Sequence, residues 1–185
     1  MAKRACVILA EGFEEVEAVT PIDYLRRAGI EVSVLGVGAT VLRGARGISV
    51  TADKALGAWA VREAWDVVVV PGGGPGAKNI AASPEAVALL KAQAARDGLI
   101  AAICASPAVV LHGACGLLTG RRFTGYPGTE TLVSGATFVA ERVVEDGNLI
   151  TSRGAGCAGE FAVAVIRRLS GEAAAAEVAE KVLLA

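Results

Sequence analysis

The chain has 185 residues, 54% hydrophobic and 20% charged, with 18 Lys and Arg against 19 Asp and Glu for a net charge of −1. That length fits one compact domain over residues 1–185, which can bury roughly 70% of its unfolded surface without staples. The composition excludes a disordered chain, the balanced charge argues against nucleic acid held by electrostatics, and no apolar run approaches the ~18 residues of a membrane span.

The first residues have the superficial layout of a signal peptide, but the apolar run is only about six residues and acidic residues follow at once, so 6–9 is read as a strand. Glu11-Gly-Phe-Glu-Glu-Val-Glu17 then opens a helix over 14–28. Its carboxylates suit a helix start, where solvated capping is the default reading. At helical spacing Glu17 shares a face with Phe13, Thr20, Pro21 and Tyr24, whereas Glu15 and Arg26 point the opposite way. A carboxyl on the Glu17 face can be partly desolvated and hold a proton near neutrality.

A second strand follows at 31–35, a β-rich insertion at 41–52, and a four-valine strand with its proline at 67–71. The loop Pro71-Gly-Gly-Gly-Pro-Gly-Ala77 has three readings. As G-x-G-x-x-A it approximates a dinucleotide fingerprint, but the next strand ends in Cys104 where that pattern wants an acid. Its glycines could instead bring backbone N–H groups to a substrate, or form only a loop.

After a helix over 84–97, the strand at 99–103 runs straight into Cys104 and a further helix over 107–114. Small neighbours (Ala102, Ala105, Ser106) and Pro107 in the first helical turn outline a nucleophile elbow. A thiol at such a helix start, near unpaired N–H groups, is expected to ionise below the ordinary cysteine value. A core cysteine at the end of a buried strand satisfies the same pattern. His112, the single histidine, lies about 12 Å along that helix from Cys104, too far to activate the thiol, which argues against a Cys-His hydrolase.

The insertion at 137–151 contains Glu145-Asp-Gly-Asn148, a hairpin turn, and helices over 158–169 and 172–182 complete the chain. Short strands apolar throughout, alternating with helices, predict an α/β fold with a doubly wound, mostly parallel sheet covered by helices on both faces. Cys6, Cys104, Cys115 and Cys157 are scattered without metal-ligand spacing, so no zinc site is expected; in a reducing cytosol they should be free thiols.

Val7-Ile-Leu-Ala10 with Glu14-Glu-Val-Glu17, Arg26-Arg-Ala-Gly-Ile30, Asp66-Val-Val-Val-Val-Pro-Gly-Gly73, Gly98-Leu-Ile-Ala-Ala-Ile-Cys-Ala105 and Thr151-Ser-Arg-Gly154 occur in an order and spacing that resemble the ThiJ/PfpI superfamily. The likeness is to its branch of the Parkinson-disease-associated protein deglycase and bacterial relatives. The resemblance implies a flavodoxin-like fold, a cytoplasmic homodimer, a nucleophilic Cys104 with Glu17 as its carboxylic-acid partner, and an oxyanion site at the backbone N–H groups of Gly73 and Ala105. It also implies a pocket that includes Gly72, Tyr126, Arg46 and Arg153, with Tyr126 standing where some members have a histidine.

The implied activity is a cofactor-free, metal-free glyoxalase or deglycase. Its substrates would be small aldehydes, methylglyoxal and glyoxal, or their adducts with amines and thiols, with nucleic acid only as a glycated substrate. A peptidase is disfavoured, because protease-like members carry a histidine at the position of Ala105. The alternative is a non-catalytic oxidative-stress sensor or redox-regulated chaperone that uses the same cysteine.

Overall fold

In the computed structural model, which describes residues 2–184, the uniformly apolar runs become the middle of one seven-stranded sheet. The strands are β1 (Arg4–Leu9), β2 (Glu31–Gly36), β5 (Lys54–Ala55), β6 (Val67–Val70), β7 (Leu99–Ile103), β10 (Val143–Asp146) and β11 (Leu149–Ser152), in the order β10-β11-β7-β6-β1-β2-β5. All pairs are parallel except β10 with β11. Val7, Val69 and Ala101 share a level across β1, β6 and β7.

Side chains alternate across this sheet, so each strand feeds two cores, which is why its sequence is apolar at every position. Ala5, Val7 and Leu9 pack on one face with Leu25 of α1 (Glu15–Arg27) and with Phe161 and Val165 of α4 (Ala158–Ser170). Cys6 and Ile8 pack on the other with Ile80 of α2 (Gly74–Ala81), Leu89 and Leu90 of α3 (Pro84–Ala95), and Val110 and Leu111 of a π-helix over Pro107–Ala114. Truncating a fully buried ring such as Phe161 to alanine costs about 3–5 kcal/mol. The last helix, α5 (Glu172–Lys181), packs on α4. Among the described residues no helix is long and apolar enough to cross a membrane.

Three elements differ from expectation. The glycine-rich segment is not only a loop: Gly73 turns the chain at φ 88°, and α2 begins at Gly74 with Pro75 in its first turn, where the missing N–H costs no hydrogen bond. The segment after the nucleophile is a π-helix. The insertion at 137–151, read as interrupting the strand–helix pattern, joins the central sheet: after the short β9 (Thr137–Phe138), β11 pairs with β7 and widens the sheet, with Ser152 level with Ile103.

The insertion at 41–52 forms an antiparallel hairpin, β3 (Val41–Arg43) and β4 (Ser49–Thr51), outside that sheet. Short β8 (Arg122–Phe123) pairs with β9 as a second small ribbon.

The chain leaves β1 towards β2 on one side, while β6 lies on the other. The carboxyl ends of β1, β6 and β7 therefore open into one crevice at a topological switch point, where α/β sheets bind ligands.

Candidate active site

Each functional group enters this crevice from a different strand end. Cys104 follows β7 at φ 67°, a left-handed conformation uncommon for a residue with a side chain, and its N–H is held by the carbonyl of Ser152 at 2.9 Å. Its carbonyl accepts from the Tyr126 N–H at 2.8 Å, so the elbow is fixed on both sides. The backbone N–H groups of Gly73 and Ala105 are directed at its sulfur.

Glu17 reaches the crevice from the first turn of α1 and is 1% exposed. Its Oε2 accepts the Gly72 N–H at 2.9 Å, and the carboxyl hydrogen-bonds the Cys104 thiol. Pro21 lies inside α1 and withholds the N–H that would bind the Glu17 carbonyl, yet the helix continues to Arg27. Gly72 separates acid and thiol so closely that a Cβ there would lie 2.6 Å from both Cys104 Cβ and Glu17 Oε2. Gly73, at positive φ, would drive a Cβ into the backbone of Gly12 and Glu14. Only glycine fits at either position.

Burial pushes the Glu17 carboxyl up to about 7; its bonds to Cys104 and Gly72 pull the other way, and the nearby Glu14 charge adds to the rise. Burial, then the charge of Glu17 and its hydrogen bond, push the Cys104 thiol up to about 12 against the Gly73 and Ala105 donors. The low thiol pKa expected from the helix start is thus overturned, because desolvation and a facing carboxylate outweigh two N–H groups. The two groups act as a coupled pair that loses its first proton near 7.

A cleft of about 240 Å³ lies over the thiol, lined by Glu14, Arg46, Gly73, Gly74, Cys104, Ala105 and Tyr126. Tyr126 is 55% exposed and also walls a neighbouring cavity, lined with Arg153, Arg142 and Cys157 among others. Of the residues anticipated from sequence, Cys104, Glu17, Gly72, Gly73, Ala105, Arg46 and Tyr126 come together, whereas Arg153 lines the adjacent cavity. Glu14, whose place at the helix start suits a solvated cap, lines the cleft 3.9 Å from the Arg46 guanidinium.

Helical spacing turns Glu15 away from the Glu17 face, but not into solvent. It is 5% exposed, and its Oε1 accepts the N–H groups of Arg46 at 2.7 Å and Ile48 at 3.2 Å, which carries the β3–β4 loop, and with it Arg46, to the cleft. No helical period could have revealed this, because its partner is a hairpin about thirty residues away in the chain. His112 is apart from the thiol, with its Nε2 accepting the Ser134 N–H at 3.4 Å. All four cysteines are free, and no cluster among the described residues could hold a metal.

The DJ-1/PfpI family profile matches residues 3–168. The chain is 41% identical to the Parkinson disease protein 7 homolog of Danio rerio over 98% of this chain and 97% of that one. It is 34% identical to the glutathione-independent glyoxalase DJR-1.2 of Caenorhabditis elegans over 91% and 90% of the two chains. The oxidized Toxoplasma gondii DJ-1 structure superposes with a TM-score of 0.95 at 39% identity, covering 100% of both chains.

Proposed function

The chain belongs to the DJ-1/PfpI family, and on that premise we propose that it is a cytoplasmic, cofactor-free glyoxalase or deglycase acting on methylglyoxal, glyoxal or their adducts with amines and thiols. The observation that carries this reading is the buried Glu17 carboxyl hydrogen-bonded to Cys104 beneath an open cleft. A glyoxalase relative supports the substrate class.

The sulfur attacks the aldehyde carbon while its proton passes to Glu17, and the N–H groups of Gly73 and Ala105 receive the negative charge on the oxygen. Protonation of that oxygen by Glu17 completes a hemithioacetal. The Glu17 carboxylate then removes the proton from the former aldehyde carbon and returns it to the adjacent carbonyl carbon, while the hydroxyl proton passes to that carbon's oxygen, which leaves the thioester of a 2-hydroxy acid. Water cleaves the thioester to a 2-hydroxy acid, lactate from methylglyoxal or glycolate from glyoxal, and restores the thiol. For a hemithioacetal or hemiaminal adduct the sulfur instead displaces the thiol or amine at that carbon, the leaving group takes from Glu17 the proton that came from the sulfur, and the later steps are unchanged. A pair that exchanges its first proton near 7 suits both directions of transfer.

Lactate formation from methylglyoxal by fully reduced protein, absent in Cys104→Ser, tests this reading. No lactate from the reduced wild type would favour the second reading, a sensor that oxidises Cys104, to which the oxidized relative lends support. We further propose a homodimer. Val16, Val19 and Ile48 are exposed together beside Glu15, whose buried Oε2 has no hydrogen-bond partner among the described residues.

A further inference from the structure

Ser106 plays no part in the steps above, yet its side chain is fully buried and makes one of the shorter hydrogen bonds near the site. Its hydroxyl donates to the Pro71 carbonyl at 2.6 Å, across thirty-five residues of chain. That carbonyl belongs to the same planar peptide unit as the Gly72 N–H, which donates to Glu17 Oε2 at 2.9 Å. A single rigid group is therefore held at its oxygen by the residue two beyond the nucleophile and presents its N–H to the acid.

We propose that Ser106 is a positioning residue that sets Glu17 through the peptide unit between Pro71 and Gly72, coupling the elbow after β7 to the turn after β6. Two consequences follow from the chemistry of a shared amide. A donor on the carbonyl oxygen draws electron density from the nitrogen, so the Gly72 N–H becomes a stronger donor to the carboxylate. Planarity also transmits orientation: with the oxygen gripped, the N–H cannot swing away from Glu17, and the next residue, Gly73, keeps its own N–H on the sulfur. Gly72 has no Cβ with which to hold this turn by packing, so the hydrogen bonds supply its rigidity.

The sign of the effect is fixed. The Gly72 bond favours the ionised carboxyl, so weakening it makes Glu17 keep its proton to higher pH. Cys104 and Glu14 are the titratable groups that act on Glu17, with Arg46 and Tyr126 lining the cleft above; Ser106→Ala changes none of them. The activity of this variant rests on the glyoxalase reading, but two other measurements do not. One is the pH profile of Cys104 alkylation by iodoacetamide, and the other is the amide proton resonance of Gly72.

In Ser106→Ala the alkylation inflection near 7 should move to higher pH and the plateau above it should rise about threefold, because a Glu17 that keeps its proton holds that of Cys104 less, while rates well below the inflection coincide with wild type. The Gly72 amide proton should shift upfield as its bond weakens. Where lactate formation occurs, its acid limb should move by the same amount with little change in KM at high pH. An alkylation profile superimposable on wild type, or a Gly72 resonance that does not move, overturns the proposal. A variant that only loses thermal stability, with its inflection in place, does the same, since that is the signature of a merely structural hydroxyl. Failure of lactate formation in the wild type leaves both alkylation and resonance readable, so the two ideas fail separately.

Discussion

At the scale of single residues, the site is governed by one desolvated carboxyl facing one desolvated thiol. Removing the charge of Glu17 should release the thiol, because that charge and its hydrogen bond both hold the Cys104 proton. In Glu17→Gln the ionisation of Cys104, followed by thiolate absorbance against a Cys104→Ser blank, should move down by on the order of one pH unit or more. An unchanged curve would mean that burial alone sets the thiol.

The same residue links the site to stability. Glu17 titrates near its ordinary 4.5 when unfolded and at about 7 when folded. The folded protein therefore binds the extra proton between those values, and stability falls as pH rises through that window. Below 4.5 the acid is protonated in both states and the penalty is absent. Denaturant unfolding at a series of pH values should show Glu17→Gln gaining on wild type from pH 4.5 to 7 and holding a constant advantage above it. A constant offset at every pH would contradict the assignment.

At the scale of elements, the β3–β4 hairpin lies outside the central sheet and reaches the cleft because Glu15 accepts two of its N–H groups. Glu15→Ala leaves both donors without their acceptor, which should cost about 1–3 kcal/mol, seen as a lower denaturant midpoint. Hydrogen exchange should also quicken at Arg46 and Ile48 more than in β1 or β6. An exchange pattern unchanged at Arg46 would show that the hairpin is held by other contacts.

Much of this layer was legible in sequence, and the reasons are local. β7 runs from Leu99 to Ile103 in both readings because a fully apolar run ends at a small-residue turn. The helical period over 14–28 bounds α1 to within one residue at each end. The start of α2 was missed because three successive glycines signal a loop, while the helix is enforced by tertiary contacts: the Gly76 N–H binds the Gly12 carbonyl at 3.0 Å. Cys104 and Glu17 were found because one sits at a strand end and the other on a helix face. Glu14, Glu15 and Ser106 escaped because their roles depend on partners remote in the chain.

At the scale of the whole molecule, strand order brings the carboxyl ends of β1, β6 and β7 side by side, and the acid, the N–H donors and the thiol arrive from those three ends. The exposed Val16, Val19 and Ile48 lie on the elements that carry Glu17 and Arg46, so association through this face would adjoin the site. Light scattering coupled to size exclusion should give twice the 18.6 kDa chain mass, and Val16→Asp should halve it. A monomer at micromolar wild-type concentration would contradict the homodimer.

The central claim is that Glu17 moves protons for Cys104, and lactate production by Glu17→Gln tests it most directly. Glutamine keeps the shape and can still accept the Gly72 N–H, but it cannot carry a proton. Positioned acid–base catalysis is worth about 10²–10⁴-fold, so turnover of methylglyoxal should fall by at least about 100-fold relative to the reduced wild type, with folding intact. Full turnover in Glu17→Gln would contradict the account.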